Sequence, residues 1–146
     1  VNARPAEHPG PADPLEGLPA ERAHETDLFR FGVDLYNRSF FWEAHEAWET
    51  VWQRCPEGPV RQALQGLIQL AAANLKEHLG VPSGALRLCE AGCLRLEKAL
   101  REGATLGIDL ADLTHRARRH FASIGNTREL SEPSPGIRMN AMQGRV

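Results

Sequence analysis

The sequence predicts an all-α fold: a small antiparallel helical bundle of four main helices plus a short fifth, with flexible ends. Three observations carry this prediction. Apolar residues recur at three- and four-residue spacing in consecutive segments, no segment alternates convincingly with period two, and the breaks between segments are short and contain Pro, Gly or Ser. Short connections make successive helices antiparallel neighbours.

Residues 1–25 hold five prolines and few large apolar groups, which reads as a flexible leader. From Thr26 the texture changes: Leu28, Phe31 and Leu35 make one stripe, with Gly32 and Tyr36 between. Asn37-Arg38-Ser39 reads as a turn, with Ser39 a candidate N-cap for a second helix that runs to about Trp52. Cys55-Pro56-Glu57-Gly58-Pro59 ends that helix, and Pro59 suits the first turn of a third. The third helix, to about His78, carries Leu64, Leu67, Ile68, Ala71 and Leu75 on one face, while Gly66, Leu70 and Ala73 widen the buried arc. Gly80-Val81-Pro82 breaks the pattern, and Ser83 is the candidate cap of a fourth helix with the stripe Ala85, Leu88, Cys89, Gly92, Leu96 and Ala99, ended by Gly103. A fifth helix from Asp109 carries Leu110, Leu113, Ala117 and Phe121. The bundle is thus expected over residues 26–122 and an irregular tail over 123–146.

The 146 residues carry a formal net charge of -2 and a sequence pI near 6.3, so no global basic field recruits nucleic acid or a membrane surface. No apolar run approaches the roughly 20 residues of a bilayer span. Three irregularly spaced cysteines do not make a disulfide framework, and no export signal is evident. A reducing cytoplasm is the expected setting. No glycine-rich phosphate loop and no nucleophile elbow occur, which leaves ATP-dependent chemistry and serine hydrolysis without support.

The chemistry concentrates in Phe41-Trp42-Glu43-Ala44-His45-Glu46-Ala47-Trp48-Glu49-Thr50-Val51-Trp52, which holds all three tryptophans. At about 100° per residue, Phe41, Ala44, Trp48, Val51 and Trp52 form the core arc. His45 falls beside Trp52, Glu49 next, Trp42 just beyond, and Glu46 at the margin. His45 and Glu49 are one turn apart and able to touch, and a buried carboxylate needs a partner. Three uses fit the pair: a structural bond that fixes helix register, a metal or small-ligand site, and acid–base chemistry with Glu49 or Glu46 as base. The string differs from zinc-protease helices because Glu49 stands at the second histidine position, and from di-iron bundles because Trp42 stands at the glutamate position. A metal would therefore need ligands from another helix. Antiparallel register places Gln69, and then Gln65, nearest His45, with Gly32 opposite on the first helix. His78 falls about 13 Å further along at ~1.5 Å per residue, so Asn74 and His78 are expected to satisfy backbone near the Asn37–Ser39 turn.

Phe31-Gly32, Leu35-Tyr36-Asn37, Phe41-Trp42-Glu43-Ala44-His45-Glu46 with Trp48-Glu49 and Trp52, Gln65-Gly66-Leu67-Ile68-Gln69 and Ala71-Ala72-Ala73 together resemble a small bacterial and archaeal family catalogued as domain of unknown function 309. The resemblance covers roughly residues 27–100. It implies a compact helical domain and brings no established activity with it.

Cys89 and Cys93, four apart on one helix, read as buried small hydrophobes rather than a disulfide, and Cys55 as a loop residue. His115-Arg116-Ala117-Arg118-Arg119-His120 reads as a solvated helix face, with pairing to the acidic Glu43–Glu49 side as the alternative. The functional expectation is a small helical domain that binds a metal or small ligand in a polar pocket at His45 and Glu49. Trp42, Trp48 and Trp52 would line the pocket, with Glu46, Gln69 and Gln65 as further contacts. If a metal is bound, a divalent ion on His45 and Glu49 is the candidate cofactor. The alternative is a structural or interaction module, a homodimer or partner binder, in which His45–Glu49 is a buried pair and Gly66 with Ala71–Ala73 suits close helix contact.

Overall fold

The computed structural model describes residues 26–124 and 136–140. The leader expected over residues 1–25, and the parts of the expected tail at 125–135 and 141–146, lie outside the described residues. The described residues form five helices: α1 (Asp27–Asn37), α2 (Phe41–Arg54), α3 (Pro59–His78), α4 (Pro82–Arg101) and α5 (Leu110–Ile124). Each packs on the next in chain order, and α3 with α4 makes the most extensive contact. The fifth helix is not short: its 15 residues exceed the 11 of α1.

Three helices end the same way. At the end of α1, Phe40 N–H reaches Leu35 O at 2.9 Å and Ser39 N–H reaches Tyr36 O at 3.0 Å. The pairs Val81–Lys76 with Gly80–Glu77, and Ala104–Ala99 with Gly103–Leu100, repeat the pattern after α3 and α4. This is the Schellman closure, which needs a left-handed residue just past the cap. Gly80 (φ 74°) and Gly103 (φ 93°) supply it, and at the first corner Ser39 does so with φ 68°. Ser39 is therefore the stop of α1 rather than the cap of α2, whose N-cap residue is Phe40, without a side-chain bond. Ser83 likewise lies inside α4, which starts on Pro82 after Val81. In both places the chain reverses too tightly for a serine to stand one residue ahead of the helix.

The α1 stripe is rotated from the expected one. Phe29, Gly32, Val33 and Tyr36 are buried, Leu28 and Leu35 flank the core, and Phe31 is 55% exposed. The cause is Trp48. Its indole is fully buried, donates Nε1–H to Phe29 O at 3.2 Å, and lies against Gly32, where an added Cβ would fall 2.6 Å from Trp48 Cδ1. Gly32 thus makes room for Trp48, not for His45. Between α3 and α4, a Cβ on Gly66 would fall 2.9 Å from Gly92 O, and one on Gly92 2.8 Å from Gly66 O. Gly66 is taken up by this close approach, and Ala71 and Ala73 by the core.

The run from His115 to His120 is a solvated face only at His115 and Arg119. Arg118 reaches Glu97 at 2.6 Å and Glu90 at 3.1 Å, both on α4. His120, buried, pairs through Nε2 with Glu77 Oε2 of α3 at 2.8 Å. Arg116 bonds Asp112 and the carbonyl of Gly136. The partners are carboxylates of α3, α4 and α5, not the Glu43–Glu49 side. Cys89 and Cys93 are buried with their sulfurs 4.0 Å apart. The Cys93 sulfur beside it, and then burial, hold the Cys89 thiol well above the usual range. Cys55 is a core residue as well as a helix cap, and burial pushes its thiol up.

Candidate functional site

The aromatic stretch folds as α2 because its apolar positions fall three and four apart and α1 and α3 cover them from two sides. The buried positions are Phe41, Ala44, Ala47, Trp48 and Val51. Ala47 is inside and Trp52 only half-buried, so the buried arc is turned away from His45 relative to the expected wheel. The reason is packing with α1, where Trp48 meets Phe29 and Tyr36 at ring-centroid distances of 6.4 and 5.6 Å. His45 and Glu49 consequently sit on a shoulder of the bundle rather than in its interior.

On that shoulder His45 Nδ1 lies 3.6 Å from Glu49 Oε2, with side-chain exposures of 23% and 43%. The separation is just beyond hydrogen-bond length. Trp42 stacks on the His45 ring, 5.5 Å between centroids and 16° between planes, and its other face is open, since Trp42 is 54% exposed. Two turns further along α2, the Arg61 guanidinium covers the Trp52 ring at 4.1 Å and donates to Cys55 O at 3.0 Å. His45 Nδ1 and Trp52 Nε1 are both shielded from solvent without a hydrogen-bond partner. An orphaned buried donor of this kind costs about 1–3 kcal/mol.

The structure brings Trp42, His45 and Glu49 together, with Trp52 on the same side of α2. Trp48 is in the core and Glu46 is exposed. Gln69 faces α4, its Cβ 3.3 Å from where a Cβ on Gly92 would stand, and its Oε1 is buried without a partner. No hydrogen bond among the described residues joins Gln69 or Gln65 to His45 or Glu49. Asn74 bonds the Tyr36 hydroxyl and Leu70 O, both at 2.9 Å, rather than turn backbone. His78 sets its ring against the edge of Phe41. Arg61 is the shoulder residue that sequence reasoning missed. Its place one turn after Gly58-Pro59, opposite the end of α2, was the available signal. Among the described residues, no three His, Cys, Asp or Glu side chains come together so as to hold a metal ion.

An all-α domain, closed by three identical helix stops and carrying one aromatic–polar shoulder on its second helix, is the class of protein that fold and site define. Residues 29–88, from the first turn of α1 into the second turn of α4, match the model of the family described as Domain of unknown function (DUF309). The matched stretch includes the whole shoulder and leaves α5 and the segment at 136–140 outside it. No curated protein matches the chain closely enough to lend it an activity. No helix among the described residues is long and apolar enough to cross a membrane.

Proposed function

We propose that the α2 shoulder binds a small planar organic acid. Its carboxylate would accept from Arg61, and from Trp52 Nε1–H once the guanidinium shifts off the indole, and its ring would lie along α2 toward His45. The observation that carries this reading is the unpartnered, shielded Trp52 Nε1 beside a cation: a donor left without a partner in the free protein gains one when a ligand arrives. His45, backed by Glu49 on one side and Trp42 on the other, orients the site and offers its second ring nitrogen. The donor set favours an organic ligand over a bare divalent ion, because His45 and Glu49 supply two ligands where an open zinc site uses three. No reaction is proposed.

Calorimetric titration with a panel of aromatic carboxylates tests the reading. Binding is expected in the wild type and lost in Trp52→Phe and in His45→Ala. Binding unaffected by Trp52→Phe would overturn it. Elemental analysis of protein purified without a metal-affinity step, alongside a His45→Ala/Glu49→Ala variant, tests the metal; near-stoichiometric metal lost in the variant would replace the organic ligand.

The second reading, an interaction module, is favoured by the exposure of three large aromatics, Phe31, Phe40 and Trp42. A dimer or partner contact through them would replace the one through Gly66 and Ala71–Ala73. We propose a cytoplasmic setting from the three free thiols. We propose no nucleic-acid partner, since Arg116 and Arg118 are tied to carboxylates. The domain expected over residues 26–122 is proposed to run to the end of α5 at Ile124 and to include Gly136–Asn140.

A further inference from the structure

Residues Gly136–Asn140 lie as a segment bonded along both edges, beside the five helices of the other described residues. On one edge the side chain of Asn37 acts as a surrogate backbone: its Oδ1 accepts from Ile137 N–H at 2.6 Å and its Nδ2 donates to Ile137 O at 3.0 Å. On the other edge Asp109 N–H donates to Arg138 O at 3.2 Å, and Asn140 N–H donates to Gly107 O at 2.9 Å. Arg116 Nη1 adds a bond to Gly136 O at 3.3 Å. The Ile137 side chain is buried in the core cluster.

We propose that this groove is a peptide-recognition site whose resident ligand is the chain's own segment 136–140, and that it accepts in trans an extended peptide with glycine followed by an aliphatic residue. Main-chain bonding to both edges supplies affinity without reading side chains, as in strand-addition complexes. Two positions supply selectivity. A Cβ on Gly136 would stand 3.1 Å from Asn37 Oδ1, so a side chain there would push the Asn37 amide off its bonds to the segment by a few tenths of an ångström, and glycine is favoured. The buried Ile137 position excludes a charge. Asn37 lies within the family-matched stretch, whereas Gly107, Asp109 and Arg116 lie beyond it, so the groove joins the matched domain to the rest of the chain. The proposal is independent of the reading of the α2 shoulder.

The resident segment competes at the high effective concentration of a tethered ligand, so the test weakens it without touching the groove. A labelled peptide, Ser-Pro-Gly-Ile-Arg-Met-Asn-Ala-Met (residues 134–142), is titrated by fluorescence anisotropy into the full chain and its Ile137→Asp variant. The variant is expected to bind at least ~10-fold more tightly than the wild type, the difference reporting the tethered competitor. Adding Asn37→Ala to the variant is expected to lose that binding, and a peptide with Gly136→Ala to weaken it. A folded Ile137→Asp chain that binds no peptide at about 1 mM would overturn the proposal. If that variant fails to fold, amide exchange of the wild type decides. Exchange of the Ile137 and Asn140 amides well ahead of the α3 core supports a releasable segment, and exchange only with global unfolding overturns it.

Discussion

Gly32 and Trp48 show how a single residue sets the register of this bundle. The indole needs both the Phe29 carbonyl and the space a side chain at 32 would fill. Gly32→Ala is therefore expected to destabilise the fold by about 1–3 kcal/mol, as overpacking against a rigid ring does, and urea unfolding would read it. The sequence placed Gly32 and Trp48 correctly on their helices but paired Gly32 with His45. A helical wheel assigns faces, and it cannot say which ring enters a gap when several aromatics share one helix. For the same reason Phe31, expected inside, is exposed. The His45–Glu49 contact was legible because i,i+4 neighbours on a helix are fixed by local geometry alone. Its place on the surface was not, since that depends on how α1 covers α2. His45→Ala should change stability by under ~1 kcal/mol at this exposure and separation. A loss of about 1–3 kcal/mol in thermal denaturation would instead favour a structural pair.

The attachment of α5 is decided by contacts between helices distant in sequence. Arg118 joins Glu90 and Glu97, and His120 joins Glu77 from within the protein. These partners lie 21 to 43 residues away, so the run at 115–120 looked like an exposed basic face. His120→Ala is expected to cost about 1.5–3 kcal/mol, the range for a hydrogen bond to a charged group. Arg118→Ala should cost less, under ~1 kcal/mol, because its carboxylate partners are more than a third exposed and salt screens them. The Arg118 pairing also carries a pH signature. Its hydrogen bond holds the Glu97 carboxyl below the usual glutamate range, near 4.3 in unfolded chains. The unfolded state therefore takes up the proton first as pH falls. The contribution is whole above that range and is lost as pH drops through the lower, folded value. Melting temperatures from pH 6 to pH 3 should fall less steeply in Arg118→Ala than in wild type. Equal slopes would remove Glu97 from the account. The helices themselves were legible almost to the residue, because Pro59, Pro82, Gly80 and Gly103 punctuate them chemically. Ser39 was misplaced because a left-handed stop and an N-cap look alike when two helices are separated by three residues, and Ser83 because Pro82 already takes the first helical position.

For the whole molecule, the up-and-down order follows from short connections, and the bundle agrees with the expected architecture apart from the length of α5. The segment Gly136–Asn140, beyond α5, also changed the picture. Ile137, one hundred residues from Asn37, completes the core at the α1–α2 corner, and an aperiodic tail gives no sequence signal for such a contact. The functional reading rests instead on one face of α2, carrying a stacked Trp42–His45 pair, Glu49 and Trp52, with Arg61 of α3 laid over Trp52. Three indole N–H groups report on it separately: Trp48 is bonded to Phe29, Trp52 is shielded and unbonded, and Trp42 is exposed. The most direct measurement is a nitrogen-15 NMR titration of these three signals with aromatic carboxylates, in wild type and in His45→Ala. The account predicts that the Trp52 signal moves while Trp48 stays, and that the shift vanishes in the variant. A Trp52 signal that no member of the panel moves, or shifts that survive in His45→Ala, would contradict it.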